Sequence, residues 1–107
     1  MSILLSQMRL AQINSYRADL EYKIQLISST KLDLSSQINE LVGLGSDMDP
    51  DSPEMKALEK KKERLYQAEK ALDMQLQRYQ TQLQMIESEE QGVKQNLQSS
   101  IQRSYAA

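Results

Sequence analysis

The sequence predicts an all-α protein in which two long antiparallel helices form a coiled-coil helical hairpin. Two long segments carry apolar residues at alternating spacings of three and four, which is typical of helices that bury one stripe of side chains. Both prolines lie between these segments, in "GSDMDPDSPE". The 107 residues fit one small domain, 1–107, with a helix predicted over 3–42, a bend over 43–52 and a second helix over 53–104.

The first predicted helix contains neither glycine nor proline and carries a seven-residue apolar repeat. Nine of its twelve seam positions hold aliphatic residues, which favours a coiled coil. Two of the polar exceptions, Arg17 and Lys31, together with Lys62 in the second helix, are expected to restrict how the helices align. The twelve positions are Ile3, Ser6, Leu10, Ile13, Arg17, Leu20, Ile24, Ile27, Lys31, Leu34, Ile38 and Leu41.

The bend is predicted where glycine and proline cluster. Gly43 and Gly45 are typical of a C-terminal helix cap, because glycine adopts the left-handed conformation at little cost. Pro50 and Pro53 stiffen the connection that follows. A bend of about ten residues favours antiparallel packing of the two helices.

The second helix has a strong start signal. Ser52 is a favoured N-cap residue, and Pro53 suits the first helical position. A capping box formed by Asp51 and Glu54 is the alternative. Either arrangement places the helix start at the same point.

The alternating aspartates of the bend invite comparison with a calcium-binding loop. If Asp47 is position 1 of an EF-hand, Asp49 and Asp51 occupy positions 3 and 5. The template then requires glycine where Ser52 stands and glutamate where Leu58 stands. We therefore interpret these acids as turn and cap residues and predict no metal site.

The second apolar stripe continues almost to the end of the sequence. Ala68, Leu72 and Leu76 are separated by two steps of four, which predicts a stutter in the repeat. Gly92 costs about 1 kcal/mol relative to alanine inside a helix, and it either permits a close contact or kink or is simply tolerated. The stripe comprises Met55, Leu58, Lys62, Leu65, Ala68, Leu72, Leu76, Tyr79, Leu83, Ile86, Glu90, Val93, Leu97, Ile101 and Tyr105.

The second predicted helix is longer than the first, so its last ten or so residues are expected to extend past the start of the first. This extension would carry one apolar strip formed by Leu97, Ile101 and Tyr105, and Val93, one step of four before it, is predicted to take part in the same self-association. A strip without a partner either frays or binds another chain. Further apolar residues lie off the seam, which favours a self-associating homo-oligomer. They are Tyr16, Tyr22, Leu26, Leu32 and Tyr66.

The composition argues against several kinds of chemistry. Without cysteine or histidine, the chain lacks the usual ligands of a structural zinc site and the usual thiol and imidazole catalysts. We predict no catalytic residue and no cofactor, and hence no enzyme. The run "EKKKER" mixes acids with bases, which is typical of a solvated helix face and not of a nucleic-acid site.

Location is not specified by the sequence. No apolar run approaches the roughly 20 residues of a membrane helix, and the start lacks the pattern of a cleavable signal peptide. We expect no membrane insertion. The protein would then be cytoplasmic or exported by a signal-independent route.

The chain resembles the helical-hairpin subunits of bacterial secretion filaments, especially type III secretion needle proteins. The segment from Pro50 to Pro53 has the P-x-x-P spacing of their turn, and the close from Ile101 to Tyr105 is similar to theirs. The chain is longer than a typical needle subunit, mostly in its second helix. The resemblance implies a hairpin subunit whose C-terminal helix packs into an assembly with other secretion or assembly proteins.

Two functional hypotheses follow. The first is a non-enzymatic structural subunit that self-assembles through helical packing, as a filament or secretion-apparatus component. The second is a cytoplasmic coiled-coil adaptor or chaperone that binds a partner protein by helix-in-groove contact.

Overall fold

Two long helices make up the fold, as the sequence predicts. The computed structural model describes residues 2–106, with helix α1 at Ile3–Gly45 and helix α2 at Pro53–Ala106. The helices pack against each other as a helical hairpin. Their contacts form two compact units, of which unit 1 combines the described parts of Met1–Ile24 and Arg78–Ala107 and unit 2 is Gln25–Gln77.

Unit 1 contains a core of four buried aliphatic side chains. Leu10, Tyr79 and Leu83 pack against this core while remaining partly exposed. Each helix contributes two of the buried residues, so the core exists only when the helices are paired. The four are Ile13, Leu20, Ile86 and Val93.

Unit 2 is held by the same kind of narrow seam. Ile27 and Ile38 of α1 and Leu58 of α2 are its buried apolar side chains, and the neighbouring seam leucines are half-buried. One stripe from each helix is buried, and the opposite faces of both helices remain in solvent.

The stutter predicted at Ala68 is wrong. Ala68 is exposed, and Glu69 occupies the half-buried seam position between Leu65 and Leu72. The hydroxyl of Ser35 donates a hydrogen bond of 3.3 Å to the Glu69 carboxylate. An alanine buries little surface, whereas glutamate can bury its aliphatic stem and keep its charged end hydrated. The alternating three–four spacing therefore continues through this point without interruption.

The end of α1 also differs from the prediction. The helix continues to Gly45, three residues beyond the predicted end, so Gly43 lies inside it. No glycine among residues 2–106 has a positive φ, so neither glycine forms the expected left-handed cap. Ser46 closes the helix, because its hydroxyl donates a 2.7 Å hydrogen bond to the carbonyl of Gly43.

Gly45 instead allows the two helices to approach closely at the bend. It is buried, and a Cβ atom at this position would lie only 2.9 Å from a methyl group of Leu58. Gly43 and Gly92 are exposed, and a Cβ atom at either would meet nothing within 4 Å. Gly92 therefore makes no close helix contact within the hairpin.

The predicted start of α2 at Pro53 is confirmed. The hydroxyl of Ser52 accepts a 3.1 Å hydrogen bond from the amide of Met55, which is the N-cap arrangement. The side chain of Asp49 accepts a 3.1 Å hydrogen bond from the amide of Asp51, so one aspartate of the bend stabilises the turn itself.

Ion pairs between the helices accompany the apolar seam. In unit 1, Arg17 pairs with Glu90, and in unit 2, Lys31 pairs with Asp73. A shift of one heptad would move Arg17 away from Glu90 to the level of a leucine, so these pairs disfavour other alignments. Lys62 pairs at 2.9 Å with Glu59 of its own helix and does not bridge the two helices.

The Arg17–Glu90 pair also affects the ionisation of the carboxyl group. Hydrogen bonding to Arg17 is the main cause that lowers the pKa of Glu90, although partial burial opposes it. Lys94 contributes further, at 3.5 Å from the same carboxylate.

Glycine substitutions should distinguish the close contact from the open positions. We expect Gly92→Ala to raise the free energy of unfolding by about 1 kcal/mol, because alanine is the better helix former and space is available. Gly45→Ala should unfold at a lower temperature than Gly92→Ala, because its Cβ would displace Leu58. Thermal unfolding followed by circular dichroism measures both, with Gly43→Ala as a neighbouring control. Equal stabilisation by all three substitutions would contradict this account of Gly45.

Acidification should destabilise the fold partly through Glu90. Its pKa is lowered in the folded state and stays near the ordinary value of about 4.3 in the unfolded state. The associated stabilisation is therefore complete above that value and is lost as the pH falls through the lower, folded pKa. Glu90→Gln should lose less stability than the wild type between about pH 5 and pH 3 in denaturant titrations.

The exposed Glu87 provides the control for this measurement, since it has no ion pair within residues 2–106. Glu87→Gln should retain the acid sensitivity of the wild type. If both variants lose the same stability over this pH range, the Arg17–Glu90 pair is not its source.

Candidate interaction surface

The off-seam apolar residues remain exposed in the structure, as the heptad pattern predicts. Seven further apolar residues off the seam are also exposed, although the sequence prediction does not include them. The five predicted residues are Tyr16, Tyr22, Leu26, Leu32 and Tyr66. The seven additional ones are Leu4, Leu5, Met8, Val42, Leu44, Met74 and Met85.

The predicted C-terminal strip does not stay together. Val93, which is predicted to take part in self-association, is only 5% exposed and belongs to the core of unit 1, so its side chain packs within the hairpin. Leu97 is half-buried on the same seam. Ile101 is 39% exposed and Tyr105 is 89% exposed. The strip available to another molecule therefore begins at Ile101 and is shorter than predicted.

A second apolar cluster lies at the start of α1. Leu4, Leu5 and Met8 are all more than half exposed. Because the helices are antiparallel, this first turn of α1 and the last turns of α2 lie at the same end of unit 1. We call Leu4, Leu5, Met8, Ile101 and Tyr105 the end patch. The consecutive apolar letters "ILL" near the start were the available sequence signal for its α1 part.

Unit 1 also contains a mixed polar and aromatic cluster. The hydroxyl of Tyr16 donates a 3.3 Å hydrogen bond to the side chain of Gln82. The ammonium group of Lys23 lies 5.6 Å from the ring centre of Tyr79, within cation–π range. Asp19, at 3.0 Å, hydrogen-bonds to Lys23 and raises its pKa. The contacts of Tyr16 with Gln82 and of Lys23 with Tyr79 join the two helices, whereas the pair of Asp19 and Lys23 lies within α1.

The concave regions of the surface are small open grooves. In unit 2, a groove of about 360 Å³ is lined by Ser28, Lys31, Leu32, Ser35 and Leu76. In unit 1, one of about 200 Å³ is lined by Tyr16, Gln82, Met85, Ile86 and Glu89. The second groove combines aromatic, thioether and polar side chains, a lining that suits contact with another side chain.

Two further features of residues 2–106 bear on the kinds of partner. No group of three or more acidic side chains in this part of the chain is placed to hold a metal ion. Neither helix has a stretch long and apolar enough to cross a membrane over the same residues.

Comparison with known proteins adds no family assignment. No protein-family model matches the chain, and the searches of curated proteins and of solved structures also find no match. The interaction surface must therefore be interpreted from its own residues.

Proposed function

We propose that the chain is a non-enzymatic structural subunit that self-assembles through helical packing. The observation that carries this proposal is the end patch, where large apolar side chains from both helices are exposed at one end of unit 1. Several large exposed apolar side chains at one end of a molecule are a common feature of protein interaction sites. In an assembly, Ile101 and Tyr105 would insert between neighbouring copies. The resemblance to secretion needle subunits supports a place in a filament or secretion apparatus.

The stability of the hairpin supports the same proposal. A two-helix fold buries one seam, and small domains bury a modest fraction of their surface. Packing further copies against the exposed apolar residues would bury more surface and stabilise each helix.

An adaptor or chaperone role is the second candidate, and the exposed methionines favour it. Met8, Met74 and Met85 are each more than half exposed. Methionine is flexible and polarisable, so it is common on surfaces that adapt to several partners. This candidate requires a stable low-order species and a specific bound partner.

Removing the apolar side chains of the α2 part of the end patch, Ile101 and Tyr105, should test self-assembly. We expect the wild-type chain to form large oligomers that are visible by electron microscopy and measurable by sedimentation velocity. Ile101→Ser combined with Tyr105→Ser should shift the population to smaller species, because the apolar contact is lost. Helicity by circular dichroism should change little, since both side chains are exposed.

Gln98→Ser combined with Gln102→Ser provides a matched control on the same turns of α2. Both glutamines are exposed, so this variant changes helix propensity without removing apolar contact. It should assemble like the wild type. Discrete dimers in all three proteins, unchanged by the substitutions, would exclude the end patch as an assembly contact and favour the adaptor candidate.

A further inference from the structure

The two outer faces of unit 2 carry charges of opposite sign. On α1, the face turned away from α2 is exposed and its only charged residues are Asp33 and Glu40. Its remaining residues are uncharged: Gln25, Leu26, Ser29, Leu32, Ser36, Asn39 and Gly43. The acidic face of unit 2 is defined by this set.

The corresponding face of α2 in unit 2 is predominantly basic. It holds four bases and one acid, Glu63, together with the exposed apolar residue Met74 and the alanines Ala57 and Ala71. The bases are Lys56, Lys60, Arg64 and Lys70. This set defines the basic face of unit 2.

The charged residues of the two faces take no part in the ion pairs within the hairpin. The base of α1 in unit 2, Lys31, lies on the seam and pairs with Asp73. Within residues 2–106, no ion pair involves either acid of the acidic face or any of the four bases of the basic face. The two faces lie on opposite sides of the helix pair, roughly two helix diameters or about 20 Å apart, so they cannot meet within one chain.

The two faces also match in position along the helices. Lys31 faces Asp73 and Ser35 faces Glu69, so each step forward along α1 corresponds to an equal step back along α2. By that register Glu40 is level with Arg64. Asp33 lies within one residue of the level of Lys70.

The exposed apolar residues follow the same register. Leu32 is 73% exposed and is level with Leu72. Ala71 and Met74, which are close to Leu72 in the sequence, lie on the basic face. Two copies placed side by side at the same height would therefore bring acid to base and apolar side chain to apolar side chain.

We propose that the acidic face of unit 2 binds the basic face of unit 2 in a second copy of the chain, with the two copies side by side in the same orientation. This inference rests on the proposed self-assembly and names its lateral contact. The apolar residues provide the buried area, while the charges determine alignment and partner choice. Exposed ion pairs contribute little individually, so their role is mainly selective.

Two-fold arrangements are disfavoured by the same charges. Packing the acidic faces of two copies together would bring Asp33 and Glu40 close to their counterparts, and packing the basic faces together would oppose four bases with four. When the acidic face of one copy binds the basic face of another, the resulting pair still has one free acidic face and one free basic face. It therefore repeats, and it closes into a ring or continues as a filament.

Charge reversal tests this contact directly. The first variant combines Asp33→Lys with Glu40→Arg, and the second combines Arg64→Glu with Lys70→Glu. Each variant alone would oppose like charges, so the protein concentration at half-assembly in sedimentation should rise on the order of tenfold or more. An equimolar mixture of the two should restore assembly, because every contact between unlike variants again pairs acid with base.

Glu21→Lys combined with Glu87→Lys changes the net charge as much as the first variant does, at exposed positions of unit 1. This control should assemble like the wild type, and circular dichroism should show all variants equally helical. If the wild type assembles and either reversed variant assembles equally well, or the mixture stays dissociated, this contact is wrong while self-assembly stands. If the wild type remains monomeric at every concentration, both proposals fall.

Discussion

Burial of one narrow apolar seam is the interaction on which the rest of this structure depends. Each helix has one continuous stripe of seam residues, so neither helix can bury its stripe without the other. In unit 1 this requirement produces the core around Ile13 and Val93, and in unit 2 it aligns Ile38 and Leu58 on the same stripes. Glu69 is tolerated on the seam because its carboxylate accepts a hydrogen bond from Ser35.

The seam also determines which charges remain available to other molecules. In unit 2, Lys31 lies on the seam and pairs with Asp73, whereas Asp33 and Glu40 lie on the outer face and form no ion pair within residues 2–106. The charge asymmetry of unit 2 therefore follows from which charged side chains lie off the seam. Intramolecular alignment and the proposed lateral contact would then use the same register.

The sequence predicted most of the fold but was wrong about one seam position of α2 and about the role of one glycine at the bend. The prediction places the more apolar Ala68 on the seam, although continuation of the heptad on both sides places Glu69 there. At Gly45 a local cap was expected, whereas the glycine is needed for the approach of Leu58 from the other helix. The first error arose because apolar character was given more weight than the heptad spacing, and the second because a contact between the helices overrode a local preference.

The sequence by itself determined the two helices, the place of the bend and the N-cap at Ser52, because these depend on residues close together in the chain. It also indicated that apolar residues would remain outside the seam. Only the tertiary structure decided that Val93 is part of the core and that the exposed strip begins at Ile101. The point along α2 where its contact with α1 ends depends on how the two helices are aligned. That alignment is set by contacts between residues far apart in the sequence, such as Arg17 and Glu90.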